Sequence, residues 1–91
     1  MRHLVSTRRR VEGRRIAEYN EAWNRLVAAA GGMSFRVNAW RFRSGTDADL
    51  HIEFLEFSGE TDPRDDPSIG AALRALEELA RGVSEEWVDL P

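Results

Sequence analysis

The chain has 91 residues, no cysteine, no lysine, 13 arginines and 16 carboxylates, for a formal charge of −3. That length suits one domain, residues 1–91, with a modest core, and the lack of cysteine excludes a disulfide framework and thiolate–metal chemistry. No apolar run approaches the roughly 20 residues that span a bilayer. Arg2 and His3 lead into a basic stretch unlike a secretory leader, so a cytoplasmic protein without membrane association is expected.

Taken in chain order, His3 to Arg10 alternates weakly and reads as a polar strand. From Glu12 to Ala30 the period lengthens: Ile16, Tyr19, Asn20, Trp23, Leu26, Val27 and Ala30 recur every three or four residues, the stripe of an amphipathic helix. Gly31 and Gly32 are expected to stop it in the left-handed conformation. Ser34–Ser44 and Asp49–Ser58 both alternate, and the turn Gly45–Ala48 between them predicts an antiparallel hairpin. In that hairpin Phe35, Val37 and Ala39 are expected to share a face with Leu50, Ile52 and Phe54. Trp40, Phe42, Leu55 and Phe57 then fall on the other face, beside His51 and Glu53.

Gly59–Asp66 reads as a loop, and Asp66-Pro67 as the N-cap and first turn of a second helix. Its apolar stripe is Ile69, Ala72, Leu73, Leu76, Ala80 and Val83, with Gly82 at its end. Glu85–Leu90 alternates as a short closing strand. The order strand, helix, strand, strand, helix, strand predicts an α+β, ferredoxin-like βαββαβ fold: a four-stranded antiparallel sheet with two helices on one face. The other face is apolar as well. A chain of this size rarely exposes such a surface, so a homodimer through Trp40, Phe42, Leu55 and Phe57 is expected.

This plan resembles the dimeric α+β barrel superfamily, whose members include antibiotic-biosynthesis-type, haem-degrading and NIPSNAP-like proteins. The segments that carry the resemblance are Tyr19-Asn20-Glu21-Ala22-Trp23 through Leu26, and Ala39-Trp40-Arg41-Phe42 with Glu53-Phe54-Leu55-Glu56-Phe57. It implies two sheets packed face to face and a small-molecule cleft between helix and sheet. Haem-degrading members ligate iron through a helix histidine. Both histidines here, His3 and His51, fall on predicted strands, so neither cofactor nor metal is expected.

Ligand-binding candidates are Tyr19 and Trp23, one turn apart on the first helix, with Ala39 leaving room on the facing strand and Arg41 placed to meet an anion. His51 and Glu53, two apart on one strand, form a polar pair. Such a pair is suited to proton transfer or to hydrogen bonding across the dimer interface. No nucleophile elbow, phosphate-cradling loop or HExxH motif is present. The expected function is a non-catalytic small-molecule-binding or accessory module. The alternative is a cofactor-free, monooxygenase-like enzyme for a small planar organic substrate.

Charge divides along the chain. Residues 1–45 hold ten arginines and three glutamates, and residues 46–91 hold three arginines and thirteen carboxylates. The Arg8–Arg15 basic cluster invites comparison with RNA-recognition domains, which share this strand order. The first strand lacks their stacking aromatics and the third carries Glu53 and Glu56. The two halves are therefore expected to neutralise each other, with no specific nucleic-acid partner.

Overall fold

A computed structural model describes all of residues 1–91. Its elements are β1 (Arg2–Arg10), α1 (Ile16–Gly31), β2 (Val37–Arg43), β3 (Leu50–Ser58), α2 (Pro67–Leu79) and β4 (Gly82–Val88), with single 3-10 turns at Gly13–Arg15 and Pro63–Asp65. The strands form one antiparallel sheet in the order β2-β3-β1-β4. This is the ferredoxin-like plan expected from the element order.

The helix boundaries have local causes. The Asp66 carboxylate accepts hydrogen bonds from the backbone N–H of Ser68 and Ile69 at 3.1 and 3.2 Å, and Pro67 follows in the first turn. At the other end of α2, Arg15 and Arg9 donate to the carbonyls of Leu79 and Ala80, which have no partner within the helix. Three expectations are corrected here. Gly31 belongs to α1 and Gly32 has φ −86°; only Gly59, after β3, has a positive φ. Val83 lies on β4, because α2 stops at Leu79 and the chain is already extended at Ala80. The buried face of α1 is Tyr19, Ala22, Trp23, Leu26 and Ala30, which leaves Ile16 and Val27 on its exposed flanks.

The hairpin also departs from expectation, with larger consequences. Ser44 N–H donates to the Leu50 carbonyl at 2.8 Å, so five residues, 45–49, separate the closing pair rather than four. Ser44 Oγ and the Asp47 side chain accept backbone N–H bonds within that loop and hold its shape. One added residue reverses the faces of one strand relative to the other. Arg43 therefore lies opposite His51, Arg41 opposite Glu53, Ala39 opposite Leu55 and Val37 opposite Phe57. Leu55 and Phe57 are buried beneath the helices and do not share the open face with Trp40 and Phe42. That open face instead groups Trp40 and Phe42 with Ile52 and Phe54 of the hairpin and with Val83 and Trp87 of β4. His51 and Glu53 likewise lie under the helices, away from the open face.

Only 17 of the 91 residues are buried, and most of the apolar ones form two separate clusters. One joins Val11, Tyr19, Ala22, Trp23 and Leu26 to Ile69, Ala72 and Leu76; the other is Val5, Leu55 and Phe57 on the sheet. α2 packs mainly on α1, so the helical layer does not close fully over β1 and β4.

The opposite charges of the two halves do meet. Arg2 pairs with Glu56, Arg8 with Glu85, Arg9 with Glu53 and Glu77, and Arg10 with Asp47. Arg14 and Arg15 pair locally with Glu12 and Glu18.

Candidate ligand-binding cleft

The gap between the two core clusters is a cleft of about 290 Å³. Its apolar walls are Trp23 and Leu26 of α1, Leu73 of α2, and Val5 and Leu55 of the sheet. Its polar lining includes Arg9, Glu53, Arg64, Arg74 and Glu77, with Thr7 and Ser84 hydrogen-bonded to each other at 2.8 Å.

Arg9 and Glu53 form the buried centre of this lining, with side chains 4% and 6% exposed. Arg9 Nε donates to both Glu53 oxygens at 3.0 Å. Its Nη1 donates to Glu77 at 2.6 Å and to the Ala80 carbonyl at 2.8 Å. Tyr19 Oη donates to Glu53 Oε2 at 2.8 Å. Burial pushes the Glu53 carboxyl above its ordinary range, opposed by Arg9 and Tyr19. Burial and the adjacent Glu53 carboxylate push the Tyr19 phenol up as well. Gly82 faces Arg9 across β1 and β4. A methyl group there would meet the Thr7 side chain and sit 2.8 Å from Arg9 Nη1, so glycine provides the room in which the guanidinium lies.

Arg41 occupies the other side of Tyr19. Its guanidinium lies 5.2 Å from the Tyr19 ring centre and 5.5 Å from that of Trp23, and donates to Asn20 Oδ1 at 2.8 Å. Of the expected ligand residues Tyr19, Trp23, Ala39 and Arg41, Trp23 alone lines the cleft. Tyr19 is sealed in the helical core, and Ala39 packs against both apolar clusters. Replacing Ala39 with leucine should therefore overpack the core and destabilise the protein by about 1–3 kcal/mol in chemical denaturation. A neutral effect would reveal free space beside it.

Glu53, expected as half of a polar pair, is central to the cleft. Its predicted partner His51 is buried beside Tyr19, ring centres 5.1 Å apart, and its Nε2 has no hydrogen-bond partner. Burial, then Arg41 and Arg43, hold the imidazole below its ordinary pKa of 6.5, with Asp49 opposing. The unfolded chain thus takes up a proton before the folded one, and this contribution to stability is lost as pH falls below about 6.5. The raised Glu53 pKa has the opposite sign, because the folded state there binds the proton first. The test is therefore a difference. Between pH of about 7 and 5, His51→Phe should lose less stability than the parent chain. Parallel pH profiles would refute the assignment.

Arg9, Glu77 and Arg74 were not singled out by sequence reasoning as cleft residues. Arg9 resembled its neighbours in a basic run, and no local spacing ties it to carboxylates 44 and 68 residues away.

No family model and no curated protein matches this sequence. Solved structures do match. SnoaB, a cofactor-independent oxygenase from Streptomyces nogalater, superposes with a TM-score of 0.77 at 16% identity, over 99% of this chain and 94% of that one. The fold is that of the antibiotic-biosynthesis monooxygenases. A protein from Caulobacter crescentus assigned to that group superposes with a TM-score of 0.81 at 14% identity, over 99% and 91% of the two chains. A conserved protein of unknown function from Bacteroides thetaiotaomicron gives 0.79 at 16% identity, over 94% and 95%. Likeness at these identities extends to the monooxygenase fold and not to an activity. No helix of this chain is long and apolar enough to cross a membrane.

Proposed function

We propose that the protein binds a small organic molecule in the cleft between its helices and sheet, as a non-catalytic homodimeric module. The observation that carries this reading is the divided core: an apolar cleft of about 290 Å³ with the buried Arg9–Glu53 pair in its wall, held from behind by Tyr19. Ligand pockets are concave, largely apolar and oriented by a few fixed polar groups, typically with volumes of about 300–1,000 Å³. This cleft stands at the small end of that range. The homodimer reading is supported by the exposed aromatic side chains of the open sheet face, Trp40, Phe42 and Trp87.

Leu73→Trp should fill the cleft from the exposed edge of the core. Titration calorimetry against a panel of small planar aromatic compounds should find binders to the parent chain that this variant does not bind. Identical binding by both proteins, or none by the parent, would overturn the cleft reading.

One observation favours the second reading, a cofactor-free oxygenase-like enzyme. Glu53 is a desolvated carboxyl of raised pKa beside the cleft, the character of a general base for an acidic aromatic substrate. Both its oxygens already accept hydrogen bonds from Arg9, and one also from Tyr19; binding is therefore the first reading. Oxygen uptake on adding an electron-rich aromatic substrate, lost in Glu53→Gln, would establish the second.

A further inference from the structure

Charge compensation around the cleft is incomplete in a specific way. Its lining holds three guanidinium groups, Arg9, Arg64 and Arg74, and two carboxylates, Glu53 and Glu77. Both carboxylates bond Arg9. Arg64 pairs with Asp62 and Glu86, neither of which lines the cleft. Arg74 has no hydrogen-bond or ion-pair partner and is exposed at the rim.

A second observation comes from Arg9, which is nine-tenths buried. Its Nε and Nη1 bond Glu53, Glu77 and the Ala80 carbonyl, whereas Nη2 makes no hydrogen bond within the chain. His51 Nε2 is the sealed side-chain polar atom without a partner; Arg9 Nη2 is not sealed, and Arg9 lines the cleft. The rest of this guanidinium is fixed by its ion pairs, so this donor is pre-oriented and needs little ordering on binding.

We propose that the cleft is selective for small apolar monocarboxylates, the ligand carboxylate taking Arg74 as its counter-charge and Arg9 Nη2 as its fixed hydrogen-bond donor. The inference rests on the cleft reading above and adds the chemical class. The apolar body lies against Trp23, Leu26, Leu55 and Leu73. A neutral molecule of the same shape would leave the Arg9 donor weakly satisfied and Arg74 without a partner. A dianion is disfavoured, because Glu53 and Glu77 contribute negative charge to the same lining.

The probe pair is 2-naphthoate and 2-naphthamide, matched in shape and differing in charge, titrated calorimetrically into the full chain at low ionic strength. The acid should bind about tenfold tighter than the amide. Arg74→Gln should remove most of that preference, so that the ratio of acid to amide affinity falls toward one. Arg74 is exposed and unpaired, so this variant should fold normally. Arg25→Gln, the loss of an exposed arginine on α1 outside the cleft, should leave the preference intact and thereby exclude a general charge effect. Equal affinities for acid and amide, both abolished by Leu73→Trp, would overturn carboxylate selectivity and leave the cleft reading standing. No binding of either compound to the parent chain, with other aromatic compounds bound, would overturn the selectivity alone. No binding of any compound would overturn both.

Discussion

Replacing Glu53 with alanine should destabilise the protein by about 3–5 kcal/mol, read from chemical denaturation. Domains of this kind have total stabilities of about 5–15 kcal/mol, so the variant should be partly unfolded at physiological temperature. The reason is the company Glu53 keeps. Removing it leaves the guanidinium of Arg9 buried with one of its two carboxylates gone, and leaves the Tyr19 hydroxyl without its acceptor. Glu77 remains on Arg9, but its half-exposed carboxylate is screened by water and offsets only part of the loss. Glu53→Gln keeps an acceptor for one partner and should cost less, about 1–3 kcal/mol. The triple variant Arg9→Met, Tyr19→Phe, Glu53→Leu removes the network rather than breaking it, and should recover most of the lost stability. A cost below about 1 kcal/mol for Glu53→Ala would mean that water reaches the pair and that the network does not hold the cleft wall.

Phe54→Arg should convert a dimer of twice the 10.4 kDa chain mass into a monomer in light scattering. Phe54 lies on the open sheet face opposite Trp40 and contacts Phe42 edge-on, ring centres 6.0 Å apart. Trp40 and Phe42 are 43% and 58% exposed, and Trp87 on β4 is 54% exposed. An arginine in the middle of that surface would have to be desolvated for a second copy to dock. The concentration dependence of the melting temperature, which dimerisation imposes on the parent, should disappear with it. Leu55→Arg, one residue away, should act differently. Leu55 is buried under the helices, so that variant should fail to fold rather than dissociate. A parent chain that scatters as a monomer at micromolar concentration would refute the dimer. Equal behaviour of the two variants would refute the assignment of Phe54 to the open face and Leu55 to the helix side.

The strand and helix order was legible because each element carries its own period and its own punctuation. Asp66-Pro67 announces α2, and the spacing from Tyr19 through Trp23 to Leu26 announces the buried side of α1. The faces of β2 and β3 were not legible, because both alternating sets contain apolar residues. With no clean polar face to orient the hairpin, the decision passes to the loop. Whether Asp49 belongs to the loop or to β3 is settled by the Ser44–Leu50 hydrogen bond and not by composition. That single residue moved Leu55 and Phe57 from the expected interface into the core and brought Glu53 beneath α1.

The sequence by itself determined the element order, the fold class and the presence of two apolar sheet faces, since local propensity and periodicity act over a few residues at a time. Only the tertiary structure decided which arginine matters. Arg9 differs from Arg8 and Arg10 in pointing to the helix side of β1, where Glu53 and Glu77 converge on it from distant parts of the chain. The position of the cleft was decided in the same way. It exists because α2 rests on α1 and leaves Leu73 above Val5 and Leu55 with space between them. That space depends on how two layers pack, which no local stretch of sequence encodes.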